Sequence, residues 1–227
     1  MELLELNEKS RALATICSDL GQLRCAPMNI QSLQPADPLY PSALTVGNKP
    51  PAALQTIGNQ QLLATFKTAV LCSRTCPGEV ILRVYDLAQR LRDSDLTFIG
   101  GFHTPVERDF LHHLLAGRCK LIICPARSLE GMRLPAAWQK AIAAERLLLL
   151  SPFTAGSQRR QSARLADHRN ELVLALSDQI LLLHAAPASR TEHLIHEAAR
   201  SGNPLLTPEQ DDETIFHQLA LAPDPTA

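Results

Sequence analysis

The chain has 227 residues, enough for one large domain with a buried core. Its hydrophobic content of 45%, its charged content of 20% and its formal net charge of -1 are those of an ordinary globular protein. Most nucleic-acid-binding domains carry a basic excess, so contact with DNA would have to come from a local basic patch.

The sequence has no feature of a membrane or secreted protein. No apolar run approaches the roughly 20 residues of a membrane-spanning helix. The stretch Met1–Glu5 is acidic, whereas a secretion signal would begin with basic residues. We therefore expect a cytoplasmic protein.

The cysteines show no paired C-x-x-C spacing, and three of them lie in or beside apolar runs. This pattern is typical of small buried residues and argues against a zinc site. We expect neither a metal nor another cofactor. The six are Cys17, Cys25, Cys72, Cys76, Cys119 and Cys124.

The first third of the chain precedes the regular part of the sequence. Apolar residues at helical spacing predict an N-terminal helical segment over residues 1–33. Between Gln34 and Gly58 the density of prolines predicts an extended wrap across the domain. We assign residues 34–210 to the main domain and residues 211–227 to a C-terminal helix and tail.

After Lys67, short apolar strands alternate with helices. This order predicts an α/β fold, with a mostly parallel sheet and helices on both faces. The expected strands are Thr68–Ser73, Leu96–Ile99, Lys120–Cys124, Leu147–Leu150, Ile180–Leu183 and Pro204–Thr207. The expected helices are an amphipathic one carrying Val80 to Leu91, then Pro105–Ala116, Pro135–Ala144, the helix after Asp167, Thr191–Ser201 and Glu213–Leu219.

A polar cluster that contains Arg169 and Asn170 precedes an aliphatic helix that Ser177 and Asp178 should close. We expect the pair to lie where this helix begins. Helix starts carry free N–H groups and partial positive charge, so they suit an anionic ligand. The alternative is that Asn170 only caps the helix and that Arg169 is a solvated charge.

Ligands of parallel sheets bind beyond the carboxyl ends of the strands. Ser73 and Arg74, directly after the first predicted strand, offer a hydroxyl and a guanidinium to a phosphate. Gly100 and Gly101 permit close approach of the backbone to a ligand. The turns expected to contribute to a ligand site are Ser73–Gly78, Gly100–Thr104, Ser151–Gly156 and Ala185–Thr191. A basic run follows at Arg159, Arg160, Arg164, His168 and Arg169; the alternative is a solvated loop balanced by nearby acids.

In order and spacing, several short motifs together resemble the DprA/Smf family of DNA-processing proteins, over roughly residues 38–208. They are Tyr40-Pro41, Pro50-Pro51, Leu54 and Gly58, then Ser73-Arg74 with Gly78, Gly100-Gly101, and Arg169-Asn170 leading into Ala175-Leu176-Ser177-Asp178. The resemblance implies an extended Rossmann-like fold and binding of single-stranded DNA. It also implies loading of a RecA-type recombinase, homodimerisation and a role in natural transformation.

The chain departs from the family pattern at three turns. Where the family reads S-G-L-A-x-G-I-D, Pro105 replaces one glycine. Ser151-Pro152 stands where the family has S-E, and Arg190 stands at a late glycine. An arginine removes a place where backbone could touch the ligand, but its guanidinium offers a phosphate contact instead. The family's C-terminal winged helix is not expected.

We thus predict a single-stranded DNA-binding recombination mediator without enzymatic activity, because no nucleophile–base pair is apparent. The predicted DNA and phosphate contacts are Ser73, Arg74, Gly100, Gly101, Arg164, Arg169, Asn170 and Arg190. Phe102 and Phe153 are the candidates for base stacking. Two alternatives stay open. One is a nucleotide-binding or phosphoribohydrolase-like domain with the Glu192 carboxylate as the catalytic group; the other is a partner-binding remnant.

Overall fold

The computed structural model describes residues 29–45, 51–154, 163–200 and 202–208 together with Leu219. The predicted helices of residues 1–28 and nearly all of Glu213–Leu219 lie outside the described residues, as do Arg159 and Arg160. Within the described range, the end of the predicted N-terminal helical segment is a strand, Gln31–Leu33.

Eight strands within the described residues form one sheet in the order β1-β2-β6-β5-β4-β3-β7-β8. Their bounds are β1 Gln31–Leu33, β2 Leu54–Gly58, β3 Lys67–Cys72, β4 Thr97–Gly100, β5 Lys120–Ile123, β6 Leu147–Ser151, β7 Gln179–His184 and β8 Leu205–Leu206. In this order, every neighbouring pair from β6 onward is parallel. Strand β2 pairs antiparallel with both β1 and β6. The predicted mostly parallel sheet is confirmed.

Helices cover both faces of the sheet. They are α1 Gly78–Leu91, α2 Pro105–Ala116, α3 Ala136–Ala143, α4 Ala163–Leu176 and α5 Arg190–Arg200. Leu87 of α1 and Phe110 of α2 belong to one apolar core. Leu172 of α4 and Ile195 of α5 belong to a second core, on the opposite face. Within the described residues, no helix is long and apolar enough to cross a membrane.

The start of α2 shows why its bounds match the prediction. Thr104 accepts a hydrogen bond from the Glu107 N–H (3.3 Å), and the Glu107 carboxylate accepts one from the Thr104 N–H (3.2 Å). This reciprocal pair is a capping box, and Pro105 occupies the first helical position. The sequence T-P-V-E therefore fixes where the helix begins.

Strand β2 lies inside the segment predicted as an extended wrap and pairs antiparallel with β6. Because this strand contains polar residues, its sequence lacks the continuous apolar run that is typical of a buried strand. Gln55 is buried, and its side-chain carbonyl accepts hydrogen bonds from the Ser128 hydroxyl (3.0 Å) and the Leu129 N–H (2.9 Å). A distant loop thus stabilises a polar residue inside the sheet.

Helix α4 corrects the prediction for Arg169 and Asn170. The helix already includes Ala163, so the pair lies in the helix interior and not at its start. Arg169 takes a place in the buried stripe that Leu165, Leu172 and Leu176 otherwise occupy. The polar cluster marks an arginine that faces the protein interior, and the argument from free N–H groups at a helix start does not apply to it.

A candidate nucleic-acid cleft at the carboxyl ends of the strands

A cleft of about 500 Å³ opens where the strand order reverses. Strand β3 pairs with β4 on one side and with β7 on the other, so the connections leaving these strands diverge and leave a crevice. The cleft is bounded by the ends of β3 and β4, by α4 and by the start of α5. Its polar and ionisable lining residues are Cys72, Ser73, Arg74, Thr75, His103, Thr104, Glu107, Asp167, Arg169, Asn170, Ser189, Arg190 and Thr191.

Five of the eight predicted contacts line this cleft: Ser73, Arg74, Arg169, Asn170 and Arg190. Gly100, Gly101 and Arg164 are not among its lining residues. Three of the four predicted turns contribute to it. The described part of the turn after Ser151 contributes no lining residue; its Phe153 packs in a small apolar cluster with Ala126 and Leu165.

Ser73 forms part of the wall of the cleft. The residue is buried, and its hydroxyl oxygen lies 2.9 Å from the Ser189 hydroxyl oxygen. The same oxygen accepts a hydrogen bond from the Ala186 N–H (2.9 Å). These contacts tie the end of β3 to the loop between β7 and α5. The Ser73 hydroxyl is therefore engaged within the protein, and its contact with a phosphate stays a prediction.

Arg74 and Arg190 carry the exposed guanidinium groups of the cleft. Arg190 forms an ion pair between its Nε and Oδ1 of Asp167, which brings the start of α5 to α4. The Arg190 side chain remains 66% exposed, whereas that of Asp167 is only 19% exposed. Arg190 can therefore turn toward a ligand from the rim, in competition with Asp167.

Arg169 is buried at the floor of the cleft, with 4% of its surface exposed. Its Nε donates a hydrogen bond to Oδ1 of Asn170 (2.7 Å), and its Nη1 donates one to the Cys124 carbonyl (3.3 Å). Burial lowers the pKa of the guanidinium, and the nearby charge of Glu107 opposes that shift. Arg169 is thus a buried side chain whose guanidinium forms hydrogen bonds within the protein.

Gly101 lies directly beneath Arg169. A Cβ atom at Gly101 would fall 1.8 Å from Nη1 of Arg169 and 2.1 Å from its Cζ. Gly100 is the last residue of β4, and a Cβ there would crowd the Val70 carbonyl oxygen at 3.2 Å. The close approach that glycine permits is used by a side chain of the protein, in place of the nucleotide that the sequence suggested.

Glu107 is the residue that the sequence reasoning missed. It is buried, and Oε1 accepts a hydrogen bond from the Cys72 N–H (2.9 Å). Its Oε2 accepts bonds from the N–H groups of His103 (2.7 Å) and Thr104 (3.2 Å). These backbone donors at the ends of β3 and β4 are thus taken by an internal carboxylate. The capping-box pattern T-x-x-E was the available signal.

The two predicted stacking residues belong to the protein interior. Phe102 is 5% exposed and lies in the larger apolar core. Phe153 is 8% exposed, and its ring centroid lies 5.7 Å from that of His168. Neither ring presents a free face to the cleft, so the expectation of base stacking is corrected.

The described cysteines agree with the expectation of small buried residues for Cys72, Cys119 and Cys124. Burial raises the pKa of Cys119 and of Cys124 to about 12, and Arg169 partly offsets the shift at Cys124. Cys76 is only partly buried. In the described ranges, no group of three or more His, Cys, Asp or Glu side chains is arranged to hold a metal ion.

The sheet topology defines a Rossmann-like α/β protein, and the polar cleft at the reversal of strand order is its candidate ligand site. Residues 31–216 match the family described as DNA recombination-mediator protein A, and the chain belongs to this DNA-processing family. The resemblance seen in the sequence is confirmed. No curated protein matches the chain significantly.

Two solved structures share the fold. DNA processing protein A (DprA) from Streptococcus pneumoniae superposes with a TM-score of 0.64 at 21% identity, covering 84% of this chain and 69% of that one. DNA processing protein A from Helicobacter pylori gives a TM-score of 0.63 at 23% identity, covering 80% of this chain and 81% of that one. At these identities the likeness concerns the fold.

Proposed function

We propose that this protein binds single-stranded DNA in the cleft and acts as a recombination mediator through that binding. The observation that carries the proposal is the pair of exposed guanidinium groups, Arg74 and Arg190, at a cleft that Asn170 also lines. The family match supports it, and the H. pylori relative is described as having a unique single-stranded DNA binding mode.

The contacts available in the cleft favour recognition of the DNA backbone. Guanidinium groups form paired hydrogen bonds with phosphate oxygens, and an amide such as that of Asn170 adds neutral donors. The candidate stacking rings, Phe102 and Phe153, are buried. Binding should therefore be largely independent of base sequence and strongly dependent on salt.

The test is a titration of a fluorescently labelled oligothymidylate, followed by anisotropy at several salt concentrations. Arg74→Ala and Arg190→Ala should each lower affinity and reduce the salt slope by about one phosphate contact. Arg118→Ala is the matched control. This exposed arginine precedes β5 and so lies at the amino ends of the parallel strands, whereas the cleft lies at their carboxyl ends. Equal affinities for the wild type and both rim variants would overturn the proposal.

Three finer expectations accompany this proposal: loading of a RecA-type recombinase, homodimerisation and a cytoplasmic location. Loading is measured as recombinase-filament formation on single-stranded DNA coated with single-stranded-DNA-binding protein, with and without the chain. Dimerisation is measured by analytical ultracentrifugation over a range of concentrations. A mediator that binds DNA but fails to speed filament formation would contradict the loading step alone.

We propose that the protein has no intrinsic hydrolase activity. The Glu192 carboxylate, the catalytic candidate of the phosphoribohydrolase alternative, is already engaged, because its Oε2 accepts a hydrogen bond from the Ala188 N–H (2.7 Å). This contact holds the carboxylate to the loop before α5, and Glu192 is not among the cleft-lining residues. Release of free base from a nucleoside monophosphate by the wild type, abolished in Glu192→Ala, would instead support an enzyme.

A further inference from the structure

We propose that Arg169 does not bind the DNA phosphate and is instead a positioning residue, which acts by orienting Asn170 toward the ligand. The inference rests on the proposed function, because it assigns roles within the same cleft. It reverses the role that the sequence pattern favours for this arginine.

The first observation is that the guanidinium is bonded on several sides within the protein. Nε contacts Asn170 and Nη1 contacts the Cys124 carbonyl, which follows β5. The same group presses against Gly101, which follows β4. A paired grip on a phosphate would use Nη2 together with Nε or Nη1, and both Nε and Nη1 already donate to the protein, so a phosphate would have to compete with one of these contacts at a residue that is only 4% exposed.

The second observation is electrostatic. Burial disfavours the charged guanidinium and lowers its pKa, and the charge of Glu107 offsets this effect only in part. A phosphate placed against Arg169 would bring a second anion close to the Glu107 carboxylate, which is buried and already accepts three backbone hydrogen bonds. Repulsion between like charges at low dielectric disfavours this arrangement. At the rim, Arg74 is exposed, and the Arg190 side chain, although paired with Asp167, is 66% exposed, so solvent weakens the repulsion there.

The third observation concerns the orientation of the Asn170 amide. Arginine is only a donor, so the Asn170 atom that faces Nε of Arg169 must be the carbonyl oxygen Oδ1. The hydrogen bond thus decides which of the two amide orientations Asn170 adopts. With Oδ1 held by Arg169, both N–H donors of Nδ2 point away from it and remain for a ligand in the cleft that Asn170 lines.

The experiment is a double-mutant cycle on oligothymidylate affinity, with the salt slope measured for every variant. Asn170→Ala should weaken binding about tenfold, the equivalent of one good hydrogen bond to a charged group. Arg169→Ala should weaken it by a similar factor, and the double variant should bind no more weakly than Asn170→Ala alone. The salt slope should stay unchanged in all three, whereas Arg74→Ala lowers it by about one.

A phosphate-binding Arg169 gives the opposite pattern, with multiplicative losses in the cycle and a slope lowered by about one; that result would overturn the inference. If Arg169→Ala does not fold, Arg169→Lys replaces it in the same cycle, because lysine keeps the compensating charge beside Glu107 and loses the planar Nε contact. An additional loss from Arg169→Lys in the Asn170→Ala background would also overturn it.

Failure of the proposed function has a different signature. If the wild-type protein shows no salt-dependent binding of the oligonucleotide, the cleft is not a DNA site, and both statements fall. If the wild type binds and Arg74→Ala weakens the complex, the proposed function stands, and the cycle alone decides the role of Arg169.

Discussion

The guanidinium of Arg169 and the backbone of Gly101 are packed against each other, so that a methyl group on Gly101 would fall 1.8 Å from Nη1. Arg169 belongs to α4, and Gly101 follows β4. The contact therefore joins a helix to the end of a central strand. As long as residue 169 is this buried arginine, residue 101 has room only for glycine.

We predict that Gly101→Ala destabilises the protein by about 1–3 kcal/mol, because the added methyl group overpacks the site and displaces Arg169. In an Arg169→Ala background the same substitution should cost less than about 0.5 kcal/mol, since the three atoms nearest to the new methyl group all belong to Arg169. Urea denaturation of the four proteins gives the coupling. Equal costs in both backgrounds would show that the clash lies elsewhere.

A second prediction concerns Glu107. The variant Glu107→Gln removes a charge that partly offsets the burial of Arg169 and turns an amide donor toward backbone N–H groups. Because these buried backbone donors lose a charged acceptor, the free energy of unfolding should fall by about 3 kcal/mol. Glu171→Gln is the control: this carboxylate forms an exposed pair with His168, and its loss should change stability by less than about 0.5 kcal/mol. Matching stabilities for the two variants would contradict the prediction.

The parallel part of the sheet was predictable because its strands are short apolar runs separated by helices. Helix α2 has the predicted bounds, Pro105–Ala116, since Thr104, Pro105 and Glu107 form a capping box that is local in sequence. Strand β2 was missed because its buried polar residue Gln55 is satisfied by Ser128 and Leu129, which are distant in the chain.

The site was predictable as a location and less so as a set of roles. Parallel topology brings Ser73, Arg74 and Arg190 to one edge of the sheet whatever their side chains do. Burial of an arginine depends on long-range contacts, here with Cys124 and Gly101. The residues next to Arg169 in the sequence do not reveal these contacts. The same polar cluster would be found at the start of a helix or on a helix turn that faces the core.

A third prediction follows from the buried thiols. Burial raises the pKa of Cys119 and Cys124 to about 12, so at pH 8 both remain protonated, and the thiolate that reacts with alkylating agents is scarce. In native protein treated with iodoacetamide, mass spectrometry should find both unmodified while partly buried Cys76 is labelled faster. In urea all three should react at similar rates. Labelling of Cys124 in the native protein as fast as in urea would contradict its burial.

The last prediction concerns Asp167, whose Oδ1 pairs with Nε of Arg190 at the rim of the cleft. Under the proposed function, this carboxylate would compete with a DNA phosphate for the same guanidinium and add a negative charge to the surface that binds the phosphate. Asp167→Asn should therefore increase affinity for oligothymidylate about threefold to tenfold and steepen the salt dependence by up to about one phosphate contact. In an Arg190→Ala background the gain should shrink, because the released guanidinium is missing.

Anisotropy titrations of the wild type, both single variants and the double variant provide the comparison. A gain of the same size with and without Arg190 would mean that Asp167 acts only through its general negative charge, and unchanged binding in Asp167→Asn would remove Arg190 from the DNA-binding surface.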